Sequence, residues 1–462
     1  VFDDGGVAVS RRSLGTIGLA AALTLPWVVV WAATDVVPRF GVAAPSTLAT
    51  LSTLATVAVS GVSILGAAFL LAWAAETAEK DVPRAFAIAV LAVLAVAPEY
   101  AVDALYAWNA GQFAGTERGI EAGNLAVANM TGANRILIGL GWSGIALFTI
   151  FRRKADIDPA VVNREGIMTD AITVDRDIGL EIVFLLIATL WAFLVPLSGG
   201  IDALDMLFLV GLYVAYIAIV LRGELEPSEM HTGVPAYLQS FSKPKRIGSV
   251  LLLFAYSGLV IFVAVEPFAH GLEEVGTNVG IPPFFMIQWI APLASESPEL
   301  IVVAYLVNKA RSTAGFNALI SSKLNQWTLL IGTLVLVYSL GLGQYGTLAF
   351  DQKQAGEIWI TAAQSLFAVA LLIDFEITAR EAVALLVLFL SQVLLEFAMI
   401  RDLVALPIDE YQVLLVYTAV YVVLALALFV HRREQFRHLL GRTAGTVSSA
   451  VSGSDEPHGA DD

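Results

Sequence analysis

The chain has no cysteine and only five histidines in 462 residues. Without thiols it forms no disulfide and offers no thiolate metal site. The histidines are scattered, and neither an HExxH spacing nor a nucleophilic serine with a partner histidine occurs. Charge is also sparse: Asp, Glu, Lys and Arg make up 15% of the residues, with 26 basic against 41 acidic and a formal charge of −15. Such an acidic balance argues against nucleic-acid binding. What is abundant is apolar surface, 58% of residues with a mean hydropathy of +0.77. A soluble protein of this length needs more polar residues to coat it, so the composition specifies a polytopic membrane protein.

Apolar runs long enough to cross about 30 Å of hydrocarbon fall at 13–35, 48–77, 83–110, 119–151, 179–198, 202–221, 247–268, 282–310, 313–341, 356–374, 380–400 and 408–431. That gives about 12 predicted spans in an all-α integral membrane protein. Basic residues test the count, because cytoplasmic loops carry the positive excess. With the N-terminus inside, 20 of the 26 fall on inner segments, including Arg152, Arg153, Lys154, Lys243, Lys245, Arg246, Arg432 and Arg433. Outer loops hold Arg39, Arg118, Lys353 and Arg401, and Arg135 and Lys323 fall inside spans. Both termini are therefore expected in the cytoplasm, in a multi-pass protein of the cell membrane. A competing reading takes SRRSLGTIGLAAALTL near the start as a twin-arginine export signal, but Trp27 and Trp31 near the end of a long apolar run fit a retained helix.

The stretch 291–332 places polar and charged residues inside two otherwise apolar helices. A carboxylate near the bilayer centre costs about 2.5–3.5 kcal/mol on insertion scales, so such residues point to function. Glu296 and Glu299 are two of them, and Pro298 between them is expected to kink the helix and release the carbonyl of Ala294. Acidic side chains beside a released carbonyl provide the oxygens that hard cations accept in place of water. The pattern recurs 200 positions earlier: residues 96–110, VAPEYAVDALYAWNA, match 296–310, ESPELIVVAYLVNKA, with Pro98, Glu99, Val102, Ala104 and Ala110 identical. A second pairing sets NRILIGLG from Asn134 against NQWTLLIG from Asn325.

Glu99 lies on the third predicted span and Glu299 on the eighth, so their helices cross in opposite directions and the repeat is inverted. The expected organisation is an extra helix in 1–45, a five-helix repeat in 46–221 and a cytoplasmic linker in 222–246. A second five-helix repeat in 247–400, an extra helix in 401–431 and a polar tail in 432–462 complete it. The end of that tail, GTVSSAVSGSDEPHGADD, has no evident means of burying a core. Inverted repeats with Pro-broken polar helices at corresponding places are the sequence pointer to a secondary transporter. Glu99 and Glu299 are expected to face one another near mid-depth.

With a Pro-Glu pair on one helix and an Asn-containing, Gly-rich helix after it, twice and inverted, the chain resembles the calcium/cation antiporter superfamily over about 48–400. The acid-rich, lysine-poor balance resembles that of halophilic archaea. In that superfamily each repeat carries Thr-Ser-x-Pro-Glu and then a Gly-Asn-x-x-Gly-Ser-Asn-x-x-Asn/Asp segment, whose last residue binds the transported ions with the two Glu residues. The resemblance implies Glu99 and Glu299 as acidic ligands, Asn134 and Asn325 as amide ligands, and Ser321 at the serine position. GNLAVANMTGAN leaves Asn129 or Asn134 open as the later ligand, and Gly123 and Asn124 fit its opening. Departures are plain: Ala95 and Val96 replace the hydroxyl residues of the first repeat, whereas Ser295 and Glu296 stand in the second. Asp103 adds a carboxylate one turn beyond Glu99.

The resemblance implies exchange of calcium for sodium or protons by alternating access. The transported cations are the substrates, no cofactor is needed, and membrane lipid is the surroundings. Sodium/proton exchange is the alternative. A cation channel fits a closed midplane carboxylate site less well than alternating access does, and an intramembrane hydrolase with two facing carboxylates is disfavoured by the repeat, so the chain is not expected to be an enzyme. Arg135 and Lys323 are expected to offset acidic charge at the site. Gly132, Gly139, Gly141, Gly144 and Gly332 are expected to permit close helix packing. Glu76, Asp374, Glu376 and Glu396 lie near predicted span ends and read as solvated or interfacial.

Overall fold

The computed structural model describes residues 4–40, 51–81, 97–152, 157–222 and 233–452. Long apolar runs give long helices, three of which continue through an internal proline, Pro26, Pro267 or Pro298. They are α1 (Asp4–Trp31), α2 (Thr53–Ala78), α3 (Ala97–Gln112), α4 (Glu117–Phe151), α5 (Gly179–Ala192), α6 (Ala203–Val220) and α7 (Lys243–Asn278). After them come α8 (Pro283–Asn308), α9 (Ser312–Leu342), α10 (Gln352–Leu372), α11 (Ala379–Ile400), α12 (Glu410–His431) and α13 (Arg433–Ser452). Among the described residues, eleven helices are long and apolar enough to cross a membrane. The first half of the predicted third span, 83–110, lies outside the described residues, which resume at Ala97.

Polar residues start several of the helices. Asp202 with Asp205, Thr378 with Glu381 and Asp409 with Gln412 each form a reciprocal capping box, satisfying amide groups that a helix start leaves without partners. α7 departs from expectation by running ten residues past the predicted end at 268, through Pro267. Phe268, Ala269, Gly271, Leu272 and Gly276 keep one face buried there, and burial sustains the helix across polar sequence. Among the described residues, π turns interrupt helices at Leu137–Trp142 in α4, Met286–Ile290 in α8 and Gln326–Leu330 in α9, and another, Ala32–Val36, follows α1.

The chain divides into two compact units, 1–106 with 227–298 and 107–226 with 299–462. Each draws helices from both halves of the sequence. In the first unit α2 packs along α7 and against α1. Ala67, Leu71, Val260 and Ile261 form a buried cluster there, with Ala97 and Ala101 of α3 against it. Arg246 donates to both carboxylate oxygens of Asp81 at 2.5 Å, and this guanidinium holds the Asp81 carboxyl below its usual range despite an opposing effect of burial.

In the second unit α10 is the most enclosed span and packs against α12, α5 and α4. Two small antiparallel sheets, not anticipated from sequence, join its loops: Val161–Val162, Ala171–Thr173 and Glu376–Thr378 in one, Gly200–Ile201 and Leu348–Ala349 in the other. Loop backbone outside the hydrocarbon pairs with itself to satisfy its amides.

The C-terminal segment also differs from expectation, being helical to Ser452. Leu439 and Thr443, one turn apart, are buried; Leu439 packs on Gly179, and Thr443 donates to the Gly179 carbonyl at 3.5 Å. Of the predicted packing glycines, Gly139 lies where a Cβ would sit 2.3 Å from the Phe389 ring, and Gly332 where one would meet Val210 at 2.9 Å. Gly144 faces open space instead.

Candidate ion-binding site

The predicted ligands are distributed over both units. In the first, Glu99 and Asp103 lie one turn apart on α3, and Ser295 and Glu296 are neighbours on α8; all four are buried. Ser295 donates to the Pro292 carbonyl at 3.3 Å. Below Asp103 on the same helix, the Tyr106 hydroxyl donates to Glu273 at 2.6 Å.

In the second unit Glu299 is half-buried and accepts from the Ser322 hydroxyl at 3.0 Å. Ser321, the serine expected from the motif, is exposed. One residue along an α-helix rotates the side chain by about 100°, enough to exchange these two positions. Asn134 and Asn325 are buried, and each stands just before a π turn, Leu137–Trp142 and Gln326–Leu330. The repeat is therefore matched in backbone shape as well as in sequence. Asn129, the alternative amide, is buried on the same helix as Asn134.

The two basic residues have partners among the described residues. Lys323 donates to Asn134 Oδ1 at 2.7 Å and lies 4.1 Å above the Trp327 ring, so an ammonium occupies an oxygen expected to hold a transported ion. Arg135, the residue after Asn134, turns to the other side of α4, pairs with Glu357 at 2.6 Å and donates to Gln392. It thereby pairs with a carboxylate of α10. Asn124 is likewise committed elsewhere: its Nδ2 donates to Asp351 Oδ2 at 2.8 Å, and its Oδ1 accepts from the Asp351 amide at 3.0 Å. Since Asp351 caps α10 through the Gln354 amide, Asn124 anchors a helix start.

Glu357 was missed by sequence reasoning, and Glu396 was read as interfacial although it is 3% exposed. The missed signal is a polar stripe on α10, Gln354, Glu357, Thr361, Gln364 and Ser365, all buried and spaced three or four apart along one face. Gln392 and Glu396 make a matching pair on α11. Asp374, near the end of α10, is nearer its expected character: burial raises its carboxyl to about 6, against the lowering effect of Arg432, which pairs with it at 3.1 Å.

This arrangement of buried carboxylates and amides in apolar helices has known counterparts. The family described as sodium/calcium exchanger protein matches residues 52–222 and 249–398. Among solved structures, the H+/Ca2+ exchanger CAX is 40% identical over 96% of this chain and 100% of that one, with a TM-score of 0.81. The native structure of YfkE shares the fold at 16% identity and a TM-score of 0.55, over 82% of this chain and 98% of that one. No curated protein sequence matches. The chain is an all-α membrane protein built as transporters are, not an enzyme, and it belongs to the sodium/calcium exchanger family.

Proposed function

We propose that the protein is a secondary active antiporter that exchanges calcium for protons or sodium by alternating access, with Glu99 and Glu299 as principal ligands of the transported cation. The observation that carries this reading is one carboxylate directly after a proline in an apolar helix of each half, Glu99 buried and Glu299 half-buried with a serine hydroxyl on it. Carboxylates must lose their protons to hold a metal, so protons compete with calcium at the same oxygens. Protons are favoured over sodium as the counter-ion. Ala95 and Val96 remove two hydroxyl ligands from the first repeat, leaving fewer oxygens for several sodium ions, and the 40% identical relative is an H+/Ca2+ exchanger. Asp103, Ser295, Glu296, Asn134 and Asn325 are the supporting ligands in this reading.

The layout that goes with it is twelve spans, with five-helix inverted repeats in 46–221 and 247–400 joined by a cytoplasmic linker in 222–246. The basic-residue bias supports cytoplasmic termini, and the acid-rich composition supports a halophilic archaeal source. Lipid contacts the spans, and nucleic acid is no partner.

The test uses proteoliposomes loaded with calcium, sodium or neither, with each gradient imposed in turn. A proton gradient is expected to drive calcium against its own gradient, and Glu99→Gln with Glu299→Gln to abolish this. Sodium movement with no calcium movement under any gradient would leave sodium/proton exchange as the function. Calcium flux needing no counter-ion would mean a channel.

A further inference from the structure

Away from the Pro-Glu carboxylates, the second unit holds a run of ionisable and amide side chains across four helices. Its inner end is Arg135 of α4, bonded to Glu357 of α10 and to the Gln392 oxygen of α11. Gln392 Nε2 donates to Glu396 Oε2 at 3.1 Å, one turn along α11. Lys353 at the start of α10 has its ammonium 3.4 Å from Glu396 Oε1 and 2.6 Å from Glu410 Oε2 at the start of α12. Exposure rises along the run: the side chains of Arg135 and Glu357 are 1% and 0% exposed, Glu396 3%, Lys353 20% and Glu410 37%. The run connects the residue next to Asn134 with the protein surface.

Glu357 and Glu396 each have one buried oxygen that receives no hydrogen bond, but Glu357 is held by the Arg135 guanidinium at 2.6 Å, whereas Glu396 has the neutral Gln392 amide and the more distant Lys353 ammonium, 3.4 Å away. Glu396 Oε2 is hydrogen-bonded, while its Oε1 is buried and receives no hydrogen bond. Buried polar atoms in native structures ordinarily have a partner. A carboxylate oxygen without a donor, inside an apolar span, gains most from a proton of its own. The charge of the cluster agrees. Arg135 and Lys353 supply two positive charges against the three negative charges of Glu357, Glu396 and Glu410, so one proton on Glu396 makes it neutral. The groups facing it are Lys353 and Glu357 from α10, Arg135 from α4 and Glu410 from α12; Tyr417 and Tyr421 of α12 add hydroxyls, the former donating to Ser391 at 3.0 Å.

We propose that Glu396 is a proton-binding site separate from the Pro-Glu carboxylates, open to water beside Lys353 and Glu410 and linked to the Asn134 segment through Gln392 and Arg135. The proton comes from water and forms an O–H bond at Oε1, while Gln392 keeps its bond to Oε2. With the acidic charge cancelled, Lys353 is held by Glu410 alone of these two carboxylates. Arg135 keeps Glu357, and the balance of charge around the Asn134 helix changes. External pH is thereby read at a second place. The effect on transport rests on the antiport reading above; the proton binding does not.

The experiment is infrared difference spectroscopy of the reconstituted full chain across a pH series, following the C=O band of protonated carboxyl groups. A band titrating on acidification is expected in the wild type and in the Glu99→Gln, Glu299→Gln variant, and is expected to be lost in Glu396→Gln. Lys353→Met removes the nearby cation and is expected to move the midpoint of that band up by about one pH unit or more. An identical titrating band in Glu396→Gln overturns the proposal. Should Glu396→Gln fail to fold, an unmoved midpoint in Lys353→Met overturns it equally. In proteoliposomes the pH profile of calcium uptake is expected to lose one step in Glu396→Gln. A wild type that moves no calcium yet shows the band would refute the antiport reading and leave the proton site standing.

Discussion

The segments around Asn134 and Asn325 are a matched pair in backbone and an unmatched pair in charge. Each is an α-helix that enters a π turn within three residues of its asparagine, at Leu137 after Asn134 and at Gln326 after Asn325, yet each carries its basic residue on a different side. Arg135 follows its asparagine and faces α10, where Glu357 receives it at 2.6 Å. Lys323 precedes its asparagine by two and faces the other repeat's Asn134 at 2.7 Å. The pseudo-symmetry therefore governs where the backbone widens. The charges follow local side-chain direction, which changes by about 100° with each residue. One basic residue is spent on holding helices together, and the other sits on a candidate ligand.

If that contrast is right, the largest effect belongs to Arg135. Arg135→Met leaves Glu357 as a buried carboxylate without its guanidinium, and breaking such a pair costs about 3–5 kcal/mol. Thermal unfolding in detergent is expected to show a large fall in Tm, mostly recovered when Glu357→Gln is added. A fall of the same size in the double variant would show that the pair is not what Arg135 contributes. Lys323→Met comes next. Freeing Asn134 Oδ1 of its ammonium is expected to tighten calcium binding about tenfold, or ~1.4 kcal/mol, as read by calorimetric titration, with stability little changed. Unaltered affinity would mean that lysine and ion do not compete. Asn124→Ala should matter least. Losing two hydrogen bonds to Asp351 is expected to lower stability by about 1–2 kcal/mol and leave calcium affinity intact. A weaker affinity at unchanged stability would instead make Asn124 a ligand.

Much of this architecture is legible in the sequence, because hydropathy and helix length are properties of contiguous residues. The bounds of α11 and α12 lie within two residues of the apolar runs that announce them, and the Pro-Glu repeat identifies Glu99 and Glu299 without a structure. What escaped depends on residues distant in sequence. Glu357 reads as a lone acid near the start of a span until α4 brings Arg135 to it. Glu396 lies four residues from the end of α11 and looks solvated until α10 delivers Lys353. The choice between Ser321 and Ser322 turns on helix phase, which a motif aligned by eye does not resolve. The two small sheets escaped because strands of two or three residues leave no periodicity to detect.

The π turns have a consequence for how this chain tolerates insertion and deletion. A π turn spans one residue more than the α turn it replaces, so it stands as an extra residue absorbed in the helix. Removing one residue within Leu137–Trp142 offers a regular α-helix that keeps both Asn134 and Ser143–Phe151 in phase. Removing one residue upstream, between Thr116 and Asn134, turns the asparagine itself. The same deletion is thus a different perturbation inside the bulge and before it. A scan of single-residue deletions along α4 would show a discontinuity at residue 137, where the cost falls from that of a displaced ligand to that of a lost wide turn alone.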